Sequence, residues 1–87
     1  MDKQMIKGIS IIKNSSYRKK ILLSLENINY LTPSEIAKKT GLRLNHVSNF
    51  LKDLKENKLV VCLNDYEKRG RLYQITNIGK QVAKENE

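Results

Sequence analysis

Apolar residues recur at helical spacing over most of this chain and switch to strand spacing once. Tyr17, Ile21, Leu22, Leu25 and Ile28 mark a first helix, which Ser15 or Ser16 can cap and which runs to about Asn27. Thr32-Pro33-Ser34-Glu35 opens a second helix as a capping box. The Thr32 hydroxyl accepts from the Glu35 N–H, the Glu35 carboxylate returns to the Thr32 N–H, and proline takes the first helical position. Leu31 stands just before the cap, placed to pack on Ile36 as a hydrophobic staple. Ile36 and Ala37 face inward, and Gly41 ends the helix because positive φ costs glycine little.

A third helix is predicted over 43–57. At about 100° per residue, Leu44, Val47, Phe50, Leu51 and Leu54 gather on one side, and Asn45, Asn49, Lys52 and Glu56 on the other. His46, Ser48 and Asp53 lie on the flanks. Leu59 to Leu63 is then a continuous β-favouring run, and Arg71 to Thr76 alternates with period two. A tip of about six residues, Asp65 to Gly70, joins the two runs into a hairpin. Thr76 caps a last helix, Asn77 to about Asn86, with Ile78 and Val82 on its apolar side. Residues 1–14 read as an N-terminal arm or short strand, or a turn of helix, outside a domain proper at 15–87. Ile6, Ile9, Ile11 and Ile12 are costly to leave in water, so this segment is expected to cover the core or to be buried by a second copy, with fraying as the alternative.

Ala37, Gly41 and Val47 resemble the helix-turn-helix pattern: a small residue where two helices touch, glycine in the turn, and a β-branched residue docking the recognition helix. The longer run, Ile36-Ala37, Gly41-Leu42, Val47-Ser48 and Leu51-Lys52-Asp53-Leu54, resembles the winged helix-turn-helix repressors of the ArsR and MarR type. With the segment GRLYQIT it looks most similar to small single-domain archaeal winged-helix regulators. The resemblance spans roughly residues 17–85. It implies an α+β fold with a three-helix core, a two-stranded β-hairpin wing and a C-terminal helix. It also implies a wing lying on the DNA backbone or in the minor groove, and terminal helices that pair across a two-fold axis. Metal sensors of that type carry further ligands, which this sequence lacks.

The formal net charge of +8 points to a polyanionic partner, nucleic acid or an anionic membrane surface. No apolar run approaches the roughly 18 residues of a membrane span, and nothing resembles a signal peptide. Eighty-seven residues suit one domain with little chain left for an effector or catalytic unit. The single cysteine, Cys62, excludes an internal disulfide and cannot alone supply a zinc site. In an apolar strand it is expected to be a buried, inert thiol. His46 has no second histidine or cysteine near it, and the four glycines are isolated. Catalysis, a metal and a cofactor are therefore not expected, and the chain reads as cytoplasmic and nucleoid-associated.

The expected function is sequence-specific binding of double-stranded DNA by a transcriptional regulator. Arg43, Asn45, His46, Ser48 and Asn49 are the candidates for base readout. Asparagine pairs bidentately with adenine, arginine with guanine, and serine with several partners. Lys52, Lys68, Arg69 and Arg71 are the candidates for backbone and wing contacts, with Asp65 and Glu67 diluting the local charge. Arg18, Lys19 and Lys20 splay around their helix as a solvated face. A homodimer is expected through the N-terminal arm, the first helix and the C-terminal helix, with Ile78 and Val82 at the contact. The same two residues equally suit closing the domain's own core. The rival readings are a winged-helix protein-interaction module, with sequence-blind DNA affinity, and an RNA binder. The latter finds only Tyr66 for base stacking.

Overall fold

A computed structural model describes residues 3–86, and over them the chain forms five helices and one small antiparallel sheet. The order is α1 (Lys3–Lys13), α2 (Ser16–Ser24), α3 (Pro33–Thr40), α4 (Leu44–Glu56), β1 (Val60–Cys62), β2 (Tyr73–Ile75) and α5 (Asn77–Glu85). This is the expected α+β winged helix, with one helix more than foreseen.

The addition is α1. Residues 3–13 form a complete helix, longer than the single turn expected as one alternative and neither an arm nor a short strand. Its buried stripe is Met5, Gly8 and Ile12, spaced three and four apart. Glycine at the centre of that stripe disguised it as an interruption. The absent side chain is what lets α1 approach, since a Cβ on Gly8 would lie 3.0 Å from Leu59 Cδ2 and 3.1 Å from Val82 Cγ2. The helix packs against α5 and α2.

The predicted local signals appear with their geometry. Ser15 caps α2 by accepting from the Arg18 N–H at 3.2 Å. The helix stops at Ser24, short of Asn27, whose φ is 60°. The capping box of α3 is made in both directions, at 3.2 Å and 3.0 Å, and Gly41 ends the helix with φ at 75°. The Glu35 carboxyl is held below its ordinary range by the Thr32 backbone N–H it accepts from. Val47, Leu51 and Leu54 of α4 have no exposed area and join Ile21, Leu22, Leu25 and Ile36 in one core.

The hairpin pairs Val60 with Ile75, Val61 with Gln74 and Cys62 with Tyr73, and the Leu63 N–H donates to the Leu72 carbonyl one step further out. A third member escaped the sequence reading. Leu31 and Tyr73 exchange both backbone hydrogen bonds, at 3.0 Å and 2.9 Å, so the residue before the α3 cap is also a sheet partner of the wing. At the far end, Thr76 accepts from the Gly79 N–H and donates to the Lys58 carbonyl, fastening the start of α5 beside the end of α4. Gly79 lies so close to this junction that a Cβ would collide with the Leu59 carbonyl oxygen.

Two packing expectations are corrected, and one left open, the place of Val82, is decided. Tyr17 and Ile28 lie outside the core, because α2 ends before Ile28 and Tyr17 turns toward α4. Leu44, in the first turn of α4, is 49% exposed. Val82 has no exposed area and belongs with Ala83 to this chain's own core, so it is not on a surface that a second copy can reach. Ile78 remains half-buried.

Candidate nucleic-acid interface

The exposed half of α4 divides into three strips once its neighbours are in place. Asn45, Asn49 and Lys52 form the outermost ridge, all exposed. On the side toward α2, His46 stacks on Tyr17, with ring centroids 6.1 Å apart and planes 26° from parallel. Tyr17 also meets the edge of Phe50 at 5.7 Å. This aromatic contact turns His46 away from the open ridge, a placement its helical position alone does not reveal. On the third side, Leu44, Ser48, Lys52 and Lys55 line a groove shared with the hairpin.

The opposite wall of that groove consists of Lys68, Arg69, Gly70 and Arg71, with Thr32, Pro33 and Ser34 of the α3 start along one edge. Its volume is about 710 Å³. Five cationic side chains from two elements far apart in sequence therefore border one open channel. Of the nine candidate residues, Ser48, Lys52, Lys68, Arg69 and Arg71 share this groove, whereas Arg43 at the α4 N-cap and Asn45, His46 and Asn49 on the helix are exposed beside it. Lys68 and Arg69 are exposed, and Arg71 is partly held, its Nε donating to the Glu67 carbonyl at 2.6 Å.

Two side chains missed in the sequence give the wing its shape. Asn64 Oδ1 accepts from the Leu72 N–H at 2.8 Å, its Nδ2 donates to the Gly70 carbonyl at 3.2 Å, and the Cys62 thiol donates to the same Oδ1 at 3.6 Å. One amide thus closes the loop that carries the basic residues. Lys55 reaches from α4 to the Asp65 carboxylate at 2.6 Å, pinning the tip to the helix. The hydrogen bond from Lys55 holds the Asp65 carboxyl below its ordinary range, and the same bond raises the Lys55 amine. An Asn-Asp pair in a sequence marks a turn but does not say which backbone groups it will close.

Cys62 is buried, as the apolar run suggested. Among the described residues no helix is long and apolar enough to cross a membrane, and no group of histidine, cysteine or acidic residues is arranged to hold a metal.

No protein-family model and no curated protein sequence matches this chain. Solved structures do match. Wild-type MarR from E. coli superposes on 97% of this chain and 63% of its own, with a TM-score of 0.74 and 25% identity. A cysteine-to-serine variant of E. coli MarR complexed with operator DNA covers 97% of this chain and 61% of its own, with a TM-score of 0.72 and 25% identity. A cysteine-to-serine variant of ZitR from Lactococcus lactis covers 83% of this chain and 49% of its own, at 0.71 and 29%. The chain thus spans between about half and two thirds of the length of these structures. In fold, this chain is a winged helix-turn-helix of the MarR type.

Proposed function

We propose that this chain is a double-stranded DNA-binding transcriptional regulator, α4 entering the major groove and the wing following the backbone or the adjacent minor groove. The observation that carries the reading is the single basic groove between Ser48 and Lys52 of α4 and Lys68, Arg69 and Arg71 of the wing. The uncharged Asn45 and Asn49 stand on the ridge beside it. That division suits DNA, where cations neutralise phosphates without regard to sequence and short amides pair with base edges. The similar fold of MarR bound to operator DNA supports it. Arg43, Asn45, Ser48 and Asn49 carry base discrimination in this reading, and His46 contributes from the flank held by Tyr17. No group is assigned to catalysis, and the protein acts in the cytoplasm on the nucleoid.

The regulator works as a homodimer through α1, α2 and α5. Ile6, 57% exposed on α1, and the half-buried Ile9, Ile11 and Ile78 are among the apolar residues available for that contact. Two copies would read half-sites about one helical turn apart, near 34 Å.

The test is a titration against genomic duplex fragments at two salt concentrations, with random duplex and single-stranded RNA as competitors. A few fragments surviving high salt and excess random duplex uphold the reading. Uniform binding that vanishes with salt overturns it in favour of a protein-interaction module.

A further inference from the structure

Leu44 is exposed although its phase on the helix places it with the apolar side. It is the first residue of α4, 49% exposed, and the only exposed large hydrophobic on that helix among the described residues. All the other surface residues of the first two turns are polar: Asn45, His46, Ser48 and Asn49. Leu44 lines the basic groove together with Ser48, Lys52, Lys68, Arg69 and Arg71. A leucine there gains nothing from the core and stands among cations that need a polyanion.

The rest of this inference builds on the DNA-binding reading above. A helix seated in the major groove with its first turn toward the bases meets mainly polar edges. The apolar group offered there is the C5 methyl of thymine. We propose that Leu44 is a specificity-determining residue that packs on a thymine methyl, so that the bound sequence carries a thymine where the first turn of α4 meets the groove. Its neighbours favour that partner. Ser48, one turn on along the same strip, hydrogen-bonds to any base edge without excluding thymine, and the surrounding lysines and arginines keep the helix close to the phosphates.

The experiment removes the methyl and nothing else. In the duplex bound most selectively by the full chain, each thymine is replaced singly by deoxyuridine, and affinities are measured for the native chain, Leu44→Ala and Leu44→Met. One replacement per α4 contact should weaken the native chain about fourfold, the worth of one buried methyl group. Leu44→Met should keep most of that difference, and Leu44→Ala should bind thymine and deoxyuridine duplexes equally. The leucine is exposed, so the alanine variant is expected to fold, which its thermal unfolding checks. A selective native chain that ignores every thymine methyl, or a Leu44→Ala variant that still senses one, overturns this contact alone. A native chain with no selective duplex overturns the DNA-reading function itself, and this contact with it.

Discussion

Arg18 of α2 donates to the Asp53 carboxylate of α4 at 3.0 Å, and its guanidinium carbon lies 5.6 Å from the centre of the Phe50 ring. The same side chain reaches the Ile11 carbonyl at the end of α1, at 3.4 Å. One residue from a run of three cations therefore joins three helices, where the run alone suggested a solvated face. Its bonds tie α4 to both α2 and the end of α1.

Breaking this joint should cost stability and blur selectivity together. The pair is partly exposed, 26% for Arg18 and 41% for Asp53, so solvent screens it. A double-mutant cycle with Arg18→Met and Asp53→Asn should give a coupling of about 0.5–1 kcal/mol by urea denaturation. The preference for the selected duplex over a random one should shrink in both single variants. A coupling near zero would make the ion pair incidental to the placement of α4.

The wing should loosen at both ends of the pH scale. The Asp65 carboxyl is lowered from its ordinary 3.8, so its bond to Lys55 is fully present above that value and is lost as pH falls through the lowered one. The Lys55 amine is raised from 10.5, so its share is present below that value and is lost as pH rises past the raised one. Both groups are solvent-exposed, so the change concerns order at the tip and not global stability. The Lys55 Cε and Nζ shifts, which report the bond itself, should stay constant between these limits and move below about pH 4. Asp65→Asn should remove that acid transition.

Asn64→Ala should act on the same loop by another route. It leaves the Leu72 N–H without its acceptor and the Gly70 carbonyl without its donor. A loss of about 1 kcal/mol is expected, together with faster amide exchange across residues 63–72. Unchanged exchange at Leu72 would show that Asn64 does not close the wing.

Gly79→Ala is expected to be far more damaging than its size suggests. The new methyl would meet the Leu59 carbonyl oxygen and lie 2.8 Å from Ile75 Cγ1. Backbone cannot yield as a flexible side chain does, so a loss of roughly 3 kcal/mol is expected in chemical denaturation. A near-neutral result would mean that α5 can slide away from β2.

Phosphate and base contacts should separate by their response to salt. Replacing Lys68 and Arg69 together by alanine should weaken binding to every duplex and lower the salt slope by about two. Asn49→Ala should instead flatten the preference between duplexes with little change in slope. An unaltered slope in the wing variant would take the wing off the DNA.

The signals readable along the chain were the ones that act over a few residues. The capping box at Thr32 and Glu35, the Gly41 stop, the Thr76 cap and the alternation in Arg71 to Thr76 each concern backbone groups and neighbours within about one turn. Local chemistry decides them, and their order along the chain was enough to outline a winged helix with a polar-faced helix and a basic hairpin.

Relationships over long sequence distances belonged to the tertiary structure alone. Gly8 became the middle of a buried stripe only because Leu59 and Val82 stand against it. Tyr17 and Leu44, both read as inward by periodicity, turned outward because α4 offered one a stacking partner in His46 and the wing offered the other a groove. Periodicity gives the phase of a residue on its own helix, whereas burial depends on which neighbour occupies that side. In the same way the sequence by itself determined that this protein has a helix with a polar face and a hairpin with a basic tip. Packing decided that they face each other across one channel, because only the folded core sets the distance between two elements.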